Sequence, residues 1–75
     1  MERYLDVDGD SGVAAYEYGA DYIRVRFTTG ATYLYTYESA GKDNIEQMKA
    51  LARRGNGLNA YINRHVRQLY ARNQR

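Results

Sequence analysis

The chain of 75 residues has no cysteine, no proline and no tryptophan, and only one phenylalanine and one histidine. Each absence removes a class of protein. Without cysteine there is no disulfide framework and no thiolate metal site, which points to a reducing, cytoplasmic setting. With a single histidine and no thiol, a zinc site is excluded. No apolar run is long enough for a membrane span or a signal-peptide core, so no membrane partner is expected. The length allows one domain, near the smallest size at which a core holds without staples. Acidic residues are also missing where they would matter most, since none occurs after Glu46.

Nine tyrosines are present, and the chain is 44% hydrophobic and 27% charged, the balance of a folded domain. Its net charge of +2 hides a split. Residues 1–46 carry four bases against nine acids, a balance of −5. Residues 47–75 carry seven bases (Lys49, Arg53, Arg54, Arg64, Arg67, Arg72 and Arg75) and no acid. Such a stretch attracts anions, whether nucleic acid or an acidic protein surface. Its competing reading is a solvated helix whose arginines complement the helix dipole.

Periodicity divides the chain into a polar lead-in over 1–12, a single domain over 13–72 and a tail over 73–75. Residues 13–18 read as a strand. After a turn at Gly19-Ala20-Asp21, residues 22–28 alternate, with Ile23, Val25 and Phe27 on one face and Arg24 and Arg26 on the other. A third strand covers 31–37. From Asp43 the apolar spacing becomes helical at Ile45, Met48, Leu51 and Ala52, with Asp43 and Glu46 as a capping pair. Gly55-Asn56-Gly57 stops that helix, with Gly55 past its end and Asn56 as the next N-cap. Leu58, Ile62, Val66 and Leu69 then mark a second helix, flanked by Tyr61, His65 and Tyr70. The expected fold is α+β: a three-stranded antiparallel β-meander followed by two α-helices packed on one sheet face.

The turn around Thr29-Gly30 decides where the tyrosines point. A two-residue type I′ turn would force positive φ on Thr29, which its β-branch disfavours. A three-residue loop with positive φ at Gly30 alone pairs Phe27 with Ala31, Val25 with Tyr33 and Ile23 with Tyr35. Tyr33, Tyr35 and Tyr37 then share a face with Ile23, Val25 and Phe27 and supply core volume. Arg24 and Arg26 are left on the opposite face with Thr32, Leu34 and Thr36.

Several motifs are decoys. Asp6, Asp8, Asp10 and Glu17 match the ligand spacing of an EF-hand loop, but Ser11 stands where the turn glycine belongs and no helix can precede Asp6. An Asx-rich turn is the preferred reading. His65 has no acid beside it on its helix and no cysteine to activate, so a half-buried imidazole is preferred to a catalytic base, and no enzyme is expected. No cofactor motif occurs. Gly55-Asn56-Gly57 lacks the Gly-x-x-x-x-Gly-Lys pattern of a phosphate-binding loop.

The second helix carries the functional signal. On a regular helix Arg64, Arg67, Arg72 and Arg75 fall within an arc of about 140° opposite the Ile62–Val66–Leu69 stripe. Arg53 and Arg54 lie near its start, and Asn59 and Asn63 occupy the polar face. Guanidiniums and amides on a rigid helix suit phosphates and base edges. For Asn63 a hydrogen bond to a backbone group is the plainer alternative.

The order of motifs resembles the KTSC domain, a segment named for the C-terminus of some lysyl-tRNA synthetases that also occurs as free-standing bacterial proteins. The matching residues are Ser11, the strand Ile23-Arg24-Val25-Arg26-Phe27, the turn glycine Gly30, the pair Tyr33 and Tyr35, and Tyr61, Asn63, Val66, Arg67 and Tyr70. The turn at 19–21 is shorter than the family's, and no proline precedes the first helix. The resemblance implies no catalytic residue and adds RNA binding as an expectation. The expected function is therefore a monomeric, non-catalytic module binding RNA or another nucleic acid. Arg64, Arg67, Arg72, Asn63, Arg53 and Arg54 are the contact residues, with Arg24 and Arg26 on the open sheet face as secondary ones. The alternative is a protein-interaction module docking an acidic partner.

Overall fold

One glycine sets the register of the central hairpin. In a computed structural model, which describes residues 1–5 and 12–74 (73 and 74 by their backbone), Gly30 has φ 96°. The Phe27 N–H donates to the Ala31 carbonyl at 2.8 Å, and the Gly30 N–H to the Phe27 carbonyl at 2.9 Å. Strands β3 (Tyr22–Phe27) and β4 (Thr32–Thr36) then pair Ile23 with Tyr35 and Val25 with Tyr33, the register expected from the loop. Ile23, Val25 and Tyr35 are buried on one face, while Arg24 and Arg26 face the other way.

Strand β2 (Val13–Gly19) precedes this hairpin and pairs with β3. A bulge between Val13 and Ala15 changes its alternation, so Val13 and Tyr16 both reach the core although they are an odd number of residues apart. Tyr16 and Tyr18 stack along the same face with ring centroids 6.1 Å apart.

The meander is extended by a short strand at each edge, β1 (Glu2–Arg3) against β2 and β5 (Arg72–Gln74) against β4, in the order β1-β2-β3-β4-β5. Residues 2–3 therefore belong to the sheet rather than to a lead-in, and Tyr4 is buried in the core. Residues 73 and 74 likewise pair with β4 rather than forming a tail. Asp6, Asp8, Asp10, Ser11 and Arg75 lie outside the described residues.

Tyr37 leaves the strand to open a one-turn helix, α1 (Tyr37–Ala40). A reciprocal capping box causes the switch: Thr36 Oγ1 accepts from the Ser39 N–H, and Ser39 Oγ from the Thr36 N–H, each at 3.0 Å. Helix α2 (Lys42–Arg54) follows, with Gly41 at its N-cap and no side-chain cap. The expected pairing of Asp43 with Glu46 as a cap is not made, because Glu46 turns to Tyr37 and Lys49 instead. Its inward stripe is Ile45, Met48, Leu51 and Ala52, and Lys49 is buried in the same stripe. The helices cover the face that carries Ile23, Val25 and Tyr35, making an α+β fold with the core between the layers.

Candidate nucleic-acid interface

Helix α2 ends at Gly55, whose left-handed conformation (φ 74°) lets its N–H reach the carbonyls of Leu51 and Ala52 at 3.0 and 3.2 Å. The next helix is entered from Gly57 (φ 86°), not from Asn56. Helix α3 (Leu58–Tyr61) has no side-chain cap of its own. Its first N–H, that of Leu58, donates across 54 residues of sequence to the Tyr4 hydroxyl at 3.2 Å. Tyr4 thus satisfies one of the orphan donors that every helix start presents.

From Ile62 to Val66 the helix widens into a single π turn. Leu58, Ile62 and Val66 are all buried. Four-residue steps drift around a 3.6-residue helix, and the wider turn brings Val66 back into line with the residues before it. The regular helix stops there. Leu69 is 42% exposed, the Ala71 N–H donates to the Leu34 carbonyl at 2.6 Å, and the chain enters β5. The expected single arc of arginines is therefore broken: Arg72 stands on the sheet, opposite Leu34.

The structure distributes the remaining expected residues over four places. Arg53 leans on Tyr18, donating to its hydroxyl at 3.4 Å with the guanidinium 5.8 Å from the ring centre, and this bond raises its already high pKa. Arg54 is exposed at the end of α2. Arg64 and His65 border a hollow of about 220 Å³ with Leu51 and Tyr61. His65 is exposed, its ring 4.4 Å from that of Tyr61, rather than half-buried. Arg24, Arg26 and Arg72 occupy the sheet face turned away from the helices, where Arg24 pairs with Glu17 and lies 5.7 Å from the Tyr22 ring centre.

Asn63 and Arg67 are brought together along one wall of a groove of about 440 Å³. Asn59 and Gln68 complete that wall, and the β3–β4 turn from Phe27 to Ala31 forms the opposite one. The floor is aromatic. Tyr33 meets Phe27 edge-on at 5.5 Å and Tyr70 at 4.8 Å, and Tyr70 stands edge-on to Tyr35 at 6.4 Å. Burial, with Tyr33 and Tyr70 adding to it, pushes the Tyr35 hydroxyl far above the ordinary tyrosine value, so it stays neutral. Asn63 Nδ2 lies 3.5 Å from Asn59 Oδ1, a long contact, and bonds no backbone carbonyl among the described residues.

The groove offers flat apolar rings below, amides at the side and a cation at the rim. Among the described residues it holds no nucleophile beside a base, and no three histidine, aspartate or glutamate side chains gather to hold a metal. Sequence reasoning placed Asn63 and Arg67 correctly on an exposed face but missed Tyr70, which it set on the flank of a continuing helix. The Tyr33–Tyr35 register was the readable half of the floor. Compared with known proteins, the chain matches no family model, no curated protein and no solved structure.

Proposed function

We propose that this chain is a non-catalytic module that binds RNA through the helix wall formed by Asn59, Asn63 and Arg67, acting as a monomer in the cytoplasm. The observation that carries the reading is the groove: Arg67 and Asn63 border an aromatic floor within a stretch of sequence that has no acid. An exposed guanidinium offers a fork for phosphate, and neighbouring amides offer donors and acceptors for bases. The resemblance of the motif residues to the KTSC domain of lysyl-tRNA synthetases supports the same ligand. Arg64, one turn from Arg67 on the neighbouring face, extends the phosphate track, and Arg24, Arg26 and Arg72 on the far side of the sheet are a separate, secondary set. Arg53 and Arg54 stand apart from the groove and contribute through long-range attraction alone.

The test is a titration of the isotope-labelled protein with short single-stranded and hairpin RNA, following backbone amides. Shifts concentrated at Asn63, Arg64 and Arg67 support the reading, with affinity falling with salt at a logarithmic slope of about −0.7 per single-strand phosphate contact. Absence of shifts at millimolar RNA in low salt overturns it. Shifts of the same residues with an acidic peptide and none with RNA would transfer the surface to a protein partner.

A further inference from the structure

We infer that the groove between the π turn and the β3–β4 hairpin receives one unstacked base of a single strand, laid against Tyr70 and Tyr33. This rests on the RNA-binding reading and specifies which part of the ligand enters the groove. Three features of the site point the same way. Tyr70 is 37% exposed and lines the groove while its ring packs on Tyr33 and Tyr35, so an aromatic side chain is held where a ligand can reach it.

The groove wall supplies the second feature. Asn59 Oδ1 meets Asn63 Nδ2 at long range, and Asn63 Oδ1 and Asn59 Nδ2 have no partner among the described residues. One acceptor and one donor are therefore left for a ligand on consecutive turns of the same wall, and amides of this kind can bond the edge of a base. The third feature is Arg67, one turn further along the same wall and exposed, where the backbone of a base seated in the groove would pass. A base inside a duplex has both faces stacked and its pairing edge occupied. The site therefore selects single strands.

The experiment compares three RNAs with the full chain: a single strand, the same strand with abasic riboses at equal length and charge, and the duplex of that strand, which carries twice the phosphates and should gain nothing from Tyr70. The abasic strand should bind about five- to a hundredfold more weakly than the intact one, the range that loss of a base–aromatic stack covers. Tyr70→Ala should impose most of that loss on the intact strand and no further loss on the abasic one, because the stack it removes is already absent there. Asn63→Ala, at an exposed position that leaves the fold intact, should weaken the intact strand severalfold and leave the abasic strand unchanged. If intact and abasic strands bind equally, the base inference is wrong while phosphate binding stands. If none of the three RNAs binds, the underlying RNA reading fails instead.

Discussion

Lys49 and Arg67 belong to the same acid-free stretch and have opposite surroundings. The Lys49 side chain is 8% exposed; its Nζ donates to the Ala20 carbonyl at 3.0 Å and to Glu46 Oε2 at 2.8 Å. The rings of Tyr18 and Tyr37 lie 5.5 and 5.7 Å from it. Its hydration has been replaced by a carbonyl, a carboxylate and two aromatic faces. Arg67 is exposed and makes no ion pair among the described residues. A cation already supplied with partners holds the fold together, and one left in water at a groove rim is free to meet a ligand. Counting bases over 47–75 adds the two kinds together and so overstates the charge left free for a ligand.

Substitutions can break that contrast. Lys49→Ala should have the largest effect, destabilising by about 2–3 kcal/mol, because it removes charge-assisted hydrogen bonds and leaves the Ala20 carbonyl without its donor. Thermal unfolding should register it as a drop of roughly 10 °C or more in a domain of this size. RNA affinity of the folded fraction should be unchanged.

Glu46→Gln tests the same cluster from its acidic side. Hydrogen bonds from Lys49 first, and from Tyr37 second, hold the Glu46 carboxyl below its ordinary value of 4.5. A carboxyl lowered by folding stabilises fully above its unfolded pKa, and the gain is lost as pH falls through the folded value. The wild-type chain should therefore lose stability below about pH 4.5, and denaturant midpoints measured from pH 7 to pH 3 should fall less steeply for Glu46→Gln. An identical acid limb in both proteins would remove Glu46 from the account. Arg67→Ala should be the mildest for the fold, within about 0.5 kcal/mol of wild type, yet it should weaken RNA of every sequence alike. Destabilisation by Arg67→Ala comparable to that of Lys49→Ala would erase the distinction between the two cations.

What could be read from the sequence follows how local each constraint is. The β3–β4 register was legible because it depends on one turn, where only Gly30 tolerates positive φ. The stripe of Ile45, Met48, Leu51 and Ala52 was legible because helical spacing repeats within a few residues. Lys49 sits at a stripe position too, but periodicity read as hydrophobicity passes over a lysine even where spacing marks it as buried. The end of the second helix was not legible. Leu69 fits the apolar spacing, and the helix stops because residues 71–74 find β4, a partner distant in sequence. That pairing also moves Arg72 from the helix to the sheet and places Tyr70 over Tyr33. Strand β1 escaped notice for the same reason, since two residues carry no period.

The Tyr4–Leu58 hydrogen bond also bears on the order of assembly. It closes a loop of 54 residues in sequence, and beside it Leu5 crowds Gly55, whose Cβ, were there one, would lie 2.6 Å from that of Leu5. Contacts so far apart along the chain form after the hairpins, once their loop-closure entropy has been offset by nearer ones. The helix that walls the groove therefore gains its first fixed amide only when the opposite end of the chain has docked. Exchange of the Leu58 amide with solvent is a clock for that docking, and a chain whose β1 has come loose loses the anchored start of the helix beside the groove before it loses its sheet.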